Sequence, residues 1–416
     1  MNGLGFKLYL FFTISWHLHL ASRIPFLGSL RIDLLLALIL IVMTLIIRYG
    51  KEKKENKEIE GILKVLIIYA MVTFPISEWP GTVIKVGLPA FIKASVFYYF
   101  TVTFVDSEKR LKIFLLVYIA CQTFRVLEPL YLHLTQGYWG SGASMLGGLE
   151  FMYRLAGAPH DNVNPNGLAA VIFSIVPYFY FYAALSWKHK VLAILILPAI
   201  IYAMVLTGSR SGIICLGIAV AGIIYKSKRK ALLVPLVVAA SIFVFLNLSP
   251  DQQDRYLSLL KSDTKHGMTV HDRVTGLEDN FALFMKRPVF GFGLGTAQEA
   301  NYNYGTSALL PHNLYMDIGI QLGIIGIVVF VYFMKTIIVN FWTSYKIMRT
   351  MLDERNFLYK TCEALQIILL AEVVFSFASY GLLIPSWYLL AGLSVSLTDL
   401  SRNQLGNKSA KGDGQQ

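Results

Sequence analysis

The sequence predicts an all-α fold: a polytopic membrane helical bundle of about twelve transmembrane helices, with a large loop on one face that contains an amphipathic helix. Three observations predict it. Of 416 residues, 56% are hydrophobic and 15% charged, against roughly 25% charged in soluble proteins. Mean hydropathy is +0.57, which excludes most soluble classes and disorder. Apolar runs close to the ~20 residues that cross a bilayer fill almost the whole chain. Lys and Arg exceed Asp and Glu by 37 to 25. They form no separate polar domain, so the excess does not indicate a nucleic-acid partner.

Helices are expected at 5–22, 30–48, 62–79, 82–105, 111–128, 166–186, 190–207, 212–225, 231–248, 313–339, 361–378 and 384–400. Backbone groups in hydrocarbon must pair internally, which makes helices the default at this hydropathy. The first follows Lys7 and has no small-residue cleavage site, so it reads as an uncleaved helix. Charged loops separate the runs: KEKKENKE (51–58), DSEKRLK (106–112), WKHK (187–190) and KSKRK (226–230). Alternating crossings bring all four to one side, with the connector 340–360 and the tail from Arg402. The basic side is cytoplasmic, so both termini are expected inside. Residues 1–400 read as one integral membrane domain and 401–416 as a disordered cytoplasmic tail. Lys85 can snorkel, whereas Lys93 is deeper and is expected to face a cavity or an acidic partner. Cys121, Cys215 and Cys362 lie in apolar runs and form no disulfide or metal pattern.

Two connections on the opposite face, 129–165 and 249–312, are too long for simple turns. The second has six Lys and Arg against seven Asp and Glu, so any anion recognition there needs individually placed residues. After His271-Asp272-Arg273, apolar residues recur at Val274, Leu277, Phe281 and Phe284, the spacing of an amphipathic helix. Pro288 stops it, and Gly291, Gly293 and Gly295 read as a flexible turn. That turn lacks the strand–turn–helix setting of a dinucleotide fingerprint.

The residues that could carry chemistry cluster on this face. Arg210 lies in Thr207-Gly208-Ser209-Arg210-Ser211-Gly212 between two apolar runs. Guanidinium holds phosphate bidentately, and Ser209 and Ser211 add donors. A snorkelling interfacial arginine is the bland alternative. Arg273 and Arg287 follow in the second long loop, where a solvated surface is the alternative. Arg154 and His160 precede Asn164-Pro165, which also reads as a helix cap and first turn. His312, followed by Asn313 at a helix start, suits a proton acceptor near neutral pH, or a simple cap. His266, His271 and Asp272 have no metal-ligand spacing, so no metal site is expected. Tyr138, Trp139, Tyr302 and Tyr304 could stack on sugar rings or form an interfacial belt.

Four ordered segments resemble the O-antigen ligase and O-antigen polymerase superfamily of bacterial membrane glycosyltransferases. They are Arg154…Gly157…Asn164-Pro165-Asn166, Thr207–Gly212, Asp272-Arg273…Arg287-Pro288…Gly291–Gly295, and His312-Asn313…Gly319…Gly323…Gly326. The likeness spans roughly 150–330. It implies a donor glycan on undecaprenyl pyrophosphate, displayed at the periplasmic face of the bacterial inner membrane. It also implies transfer to the hydroxyl of a second glycan or of a lipid A-core acceptor, with no cofactor, nucleotide sugar or metal. Membrane lipid, a chain-length regulator and a flippase are the other implied partners. Carried over by motif, Arg210 and Arg273 grip the pyrophosphate and His312 is the base or orienting residue; Arg154 and Arg287 are weaker carry-overs. A polymerase is slightly preferred over a ligase, since nothing points to lipid A-core recognition. The competing class is a transporter or flippase for a lipid-linked or anionic substrate, against which stand the absence of an internal repeat and the gathering of basic candidates at one face.

Overall fold

The computed structural model describes residues 2–49, 58–140, 144–146, 150–259, 268–305, 311–379 and 381–412. Apart from a short hairpin it is all helical. The first part comprises α1 (Asn2–Leu18), α2 (Leu20–Arg23), α3 (Pro25–Ser29), α4 (Ile32–Tyr49), α5 (Glu58–Thr73), α6 (Pro80–Thr82), α7 (Leu88–Phe104) and α8 (Glu108–Gln136). The antiparallel hairpin β1 (Ser144–Leu146) and β2 (Glu150–Met152) follows. Then come α9 (Pro165–Ala183), α10 (Trp187–Leu206), α11 (Arg210–Lys226), α12 (Lys230–Leu246), α13 (Pro250–Leu257), α14 (Met268–Lys286) and α15 (Ala297–Tyr304). The chain ends in α16 (Leu314–Met351), α17 (Phe357–Phe375) and α18 (Pro385–Gly412).

Every expected helical run has a helix in the structure. Among the described residues, seven helical stretches are long and apolar enough to cross a membrane: Ile32–Tyr49, Glu58–Ile76, Pro80–Phe104, Glu108–Gln136, Pro165–Ala183, Trp187–Leu206 and Leu314–Met351. The chain is therefore a multi-pass membrane protein. The 17-residue Lys230–Leu246 is apolar but shorter.

Several boundaries differ from expectation for local reasons. α8 runs through Pro129 to Gln136 and stops where Gly137 adopts φ 67°. α16 continues through the expected connector to Met351, because no Pro or Gly interrupts 327–351. α18 continues to Gly412, through most of the stretch expected to be a disordered tail. Its polar residues there are compatible with helical continuation and no Pro stops them. Lys93 is exposed on α7 and forms no ion pair among the described residues, so it does not have the acidic partner expected.

The core is strongly aromatic. Tyr9 stacks on Phe114 and meets Phe100 edge-on, and its hydroxyl bonds Thr101 Oγ1 at 2.7 Å. α18 packs along α7 and α16, and α17 along α9 and α11. The perimeter is apolar: Leu38 and Leu45 on α4 and Leu195 on α10 are exposed, and α12 buries no residue. Such faces need a lipid solvent. Cys121, Cys215 and Cys362 are buried and unbridged.

The three-glycine turn after α14 is clamped into the bundle, which corrects the flexible turn expected. α16 breaks at Gly323, whose φ is 67° and ψ −166°. A Cβ there would lie 2.1 Å from Val289 O, so only glycine lets the two backbones meet. Breaking a buried helix frees backbone groups that must find other partners. Phe292 N donates to Ile320 O at 2.8 Å, Gly293 N to Gln321 O at 2.9 Å and Ile324 N to Pro288 O at 2.8 Å. Gly295 N donates to Gln321 Oε1 at 2.6 Å and Tyr69 OH to Leu322 O at 2.8 Å.

The amphipathic helix expected before this turn is α14. It inserts Leu283 and Phe284 into a small cluster with Phe292, Ala297, Ala300 and Ile320. Leu277 and Phe281 of the expected apolar face are exposed instead. Leu283 and Phe284 meet α15 and α16, so among the described side chains burial follows those neighbours and departs from the full helical stripe.

Candidate functional site

A short turn joins α10 to α11. It matters because a helix ends with unsatisfied carbonyls and begins with unsatisfied N–H groups. At the end of α10 the carbonyls are met from two other regions of the chain. Leu155 N donates to Leu206 O at 2.9 Å, and Arg154 Nε to Thr207 O at 2.8 Å. Arg255 Nε donates to Gly208 O at 2.6 Å and Tyr256 OH to Val205 O at 3.1 Å. Cations at a helix C-terminus also complement its dipole. Gly208 has φ 55°, and a Cβ there would lie within 3.5 Å of both Arg255 and Arg154 side chains.

Two helix N-termini meet beside this end. Asn164 Oδ1 caps α9 by accepting Gly167 N at 2.8 Å, with Pro165 in the first turn as the sequence suggested. Ser209 Oγ caps α11 by accepting Gly212 N at 3.1 Å. The two are joined through Asn166, whose Oδ1 accepts Ser209 Oγ at 2.8 Å and an Arg154 terminal nitrogen at 2.9 Å. Arg210 NH1 donates to Ser258 Oγ at 2.8 Å, just past α13. Arg154, Arg210 and Arg255 are only 5–6% exposed.

Three buried guanidiniums therefore share one junction with the positive ends of two helix dipoles. Burying charge is costly unless it is hydrogen-bonded, and the carbonyls of the α10 end, Asn166 and Ser258 supply such bonds. Burial pushes the Tyr256 phenol up to about 12, against the opposing pull of Arg255 and Arg154.

The other expected site residues are distributed as follows. Ser211 is buried, its hydroxyl 3.4 Å from that of Ser209. His160 is exposed on the turn before Asp161. Asn313 caps α16, accepting Tyr315 N at 3.0 Å and Met316 N at 3.1 Å. His312 precedes it and is exposed. The head of α16 is held to α17 by Leu314 N, which donates to Ser376 O at 2.8 Å. Arg273 lies on α14, but its side chain is outside the described residues. Arg287 is not brought to the arginine junction. It pairs with Glu78, donates to Ile76 O at 3.2 Å and lies over the Phe292 ring, so it braces the clamp. Tyr304 does the same, bonding Glu78 Oε1 at 3.0 Å beside Trp79.

Arg255 and Ser258 were not singled out from sequence. The signal that could have found Arg255 is the Ser249–Gln252 capping box, which starts a helix at 250 and puts Arg255 on it. A second polar group was also missed. Arg125 Nε donates to Asp161 Oδ2 at 2.6 Å, and His19 Nε2 lies 3.2 Å from Asp161 Oδ1. Burial alone would raise the Asp161 carboxyl; the hydrogen bonds from His19 and Arg125 outweigh it and hold the group down at about 2.

Residues 193–331 match the family model described as O-antigen ligase. Over this segment the chain is similar to the O-antigen ligase family. No curated protein matches the chain. The O-antigen ligase segment runs from α10 into α16 and so includes Arg210, Arg255, Arg273, Arg287, His312 and the clamp. Arg154 and Asn166 lie upstream of it, so the junction is assembled across its boundary. The O-antigen ligase family implies a glycosyltransferase-like enzyme acting on lipid-linked glycan and acceptor substrates.

Proposed function

We propose that this protein transfers a glycan from undecaprenyl pyrophosphate to an acceptor hydroxyl at the periplasmic face of the bacterial inner membrane, as a surface-polysaccharide polymerase in preference to an O-antigen ligase. The observation that carries this reading is the junction of Arg154, Arg210 and Arg255 at the paired N-termini of α9 and α11, partly within an O-antigen ligase segment. In the reaction the acceptor oxygen attacks the anomeric carbon as the bond from that carbon to the pyrophosphate oxygen breaks. Negative charge grows on the departing lipid pyrophosphate, and fixed guanidinium groups stabilise it. One such preorganised donor contributes ~10²–10³ in rate. His312 takes the hydroxyl proton, a contribution of ~10²–10⁴. Arg273 is the fourth candidate cation for the pyrophosphate, and Ser209, Ser211, Asn313 and His160 are supporting polar groups. Arg287 has the weaker claim, since Glu78 already holds it.

The site faces outward if the basic loops lie in the cytoplasm, with both termini inside. The test is purified protein with a lipid-linked glycan, without nucleotide or divalent metal. Glycan transfer is expected, and Arg210→Ala, Arg273→Ala and His312→Ala are each expected to abolish it while the protein still inserts. Translocation of the lipid-linked glycan with no transfer would favour a flippase. Restoration of a repeat-length ladder in a polymerase-deficient strain separates polymerase from ligase.

A further inference from the structure

A second polar feature lies beside the arginine junction and plays no part in the steps above. It is a cavity of about 290 Å³ among α1, α7, α8, α9, α17 and α18. Trp16, Tyr118, Gln122, Glu372, Ser376 and Ser386 contribute to its wall. Its position is informative. Gly167, next to Asn166 of the junction, lines one side. Ser376, whose carbonyl accepts Leu314 N near His312, lines another. The cavity thus sits between the junction and the proposed base.

Its wall is ordered. Gln122 donates to Tyr118 OH at 3.1 Å and accepts from Arg125 at 2.9 Å. Arg125 also lines the cavity, but its charge is directed to Asp161 at 2.6 and 3.1 Å. Glu372 accepts from Ser386 Oγ at 3.0 Å, and no cation pairs with it among the described residues. A carboxylate within a membrane bundle is expensive, and such residues mark substrate sites by default.

The chemistry of this wall is selective. The cation of the wall, Arg125, is directed to Asp161, so the anionic part of a donor belongs at the arginine junction. Carboxylate, amide and hydroxyl groups suit the hydroxyls of a sugar, and an indole offers its apolar face to the ring C–H groups. The volume is at the lower edge of the ~300–1,000 Å³ of small-molecule sites, which suits sugar residues better than a lipid. We propose that this cavity is the acceptor-sugar subsite, in which Glu372 accepts hydrogen bonds from ring hydroxyls and Trp16 stacks on the ring. This rests on the glycan-transfer reading; the paired experiment keeps the two apart.

The first measurement is transfer by purified full-length protein with donor and acceptor varied independently. Glu372→Ala, and Glu372→Gln as the variant that keeps shape, should raise the acceptor KM. Leaving a sugar hydroxyl's hydrogen bond unmade in a buried site costs about 1–3 kcal/mol, which corresponds to roughly 5- to 150-fold. The donor KM should stay within about 2-fold, well under the ~1.4 kcal/mol of a tenfold change. An unchanged acceptor KM, or an equal rise in both, overturns the subsite. The second measurement needs no turnover: tryptophan fluorescence, assigned with Trp16→Phe, during titration with methyl glucoside, methyl galactoside and N-acetylglucosamine. Saturable quenching by at least one sugar, lost in Glu372→Ala and not produced by inorganic phosphate, supports the subsite. Quenching that survives Glu372→Ala, or none with any of the three, overturns it. Sugar binding without transfer would instead defeat the glycan-transfer reading and leave the cavity standing.

Discussion

The Thr207–Gly212 junction and the Gly291–Gly295 clamp are two glycine-rich turns in one O-antigen ligase segment, and they are held in opposite ways. At the clamp, backbone meets backbone: Gly323 lets Val289 O approach and the broken helix is satisfied by loop N–H groups. At the junction, side chains meet backbone: Arg154 and Arg255 close on the end of α10, and Gly208 leaves them room. The first arrangement consumes its polar groups and makes a rigid support. The second gathers three buried, hydrogen-bonded guanidiniums at the paired N-termini of α9 and α11. Two glycine-rich turns of similar composition are therefore fixed by different partners, backbone in one case and buried guanidiniums in the other.

The contrast breaks most visibly at Gly323. Gly323→Ala combines a left-handed conformation, costing about 1–2 kcal/mol, with a clash at Val289 that displaces hydrogen bonds worth about 0.5–1.5 kcal/mol each. A destabilisation of several kcal/mol is expected, seen as a lowered thermal midpoint on detergent size exclusion. Arg210→Ala should do the reverse: transfer falls ~10²–10³-fold with the thermal midpoint little changed. A folded Gly323→Ala beside an unfolded Arg210→Ala would invert the assignment.

Asn166→Ala removes the acceptor shared by Arg154 and Ser209. Leaving those donors unmatched costs about 1–3 kcal/mol, so a loss of activity smaller than that of Arg210→Ala is expected, together with modest destabilisation. Asp161 provides a pH test. Its folded value of about 2 lies below the unfolded ~3.9. Its contribution, on the order of 2 kcal/mol, is therefore complete above about pH 4 and lost as pH falls through the folded value. Stability should be flat between pH 5 and 7 as far as this pair is concerned, and Asp161→Asn should remove the acid-side loss. The smallest effect is expected at Arg287, which is 36% exposed in its pair with Glu78. Arg287→Ala should cost under about 1 kcal/mol and leave transfer nearly intact; a loss like that of Arg210→Ala would return Arg287 to the site.

Much of this was legible before any coordinates. Hydropathy is additive along the chain, so the helical runs followed from composition, as did α14 with its stop at Pro288. Caps are local, and Asn164 with Pro165 announced the start of α9; the Ser209 cap of α11 was not read from sequence. Contacts across the bundle were not legible. The sequence ranks Arg210 and Arg273 above Arg154 and Arg287 by motif, but each is an arginine in a polar stretch near an apolar run, and nothing local says which of them meet. Only the packing of α9 against α11, and the hydrogen bonds of α13 to the end of α10 and the turn after it, make Arg154 and Arg255 neighbours of Arg210.

The sequence by itself determined a helical membrane bundle, its chain order of helices and the four motif segments, because those properties depend on neighbours a few residues apart. Tertiary structure alone decided that Arg287 braces a clamp, that Gly323 breaks α16, and that Glu372 faces a cavity beside Gly167 and Ser376. These depend on how helices distant in sequence are rotated and shifted against one another. Periodicity determines which face of a helix is apolar, but not which polar group on another helix it meets.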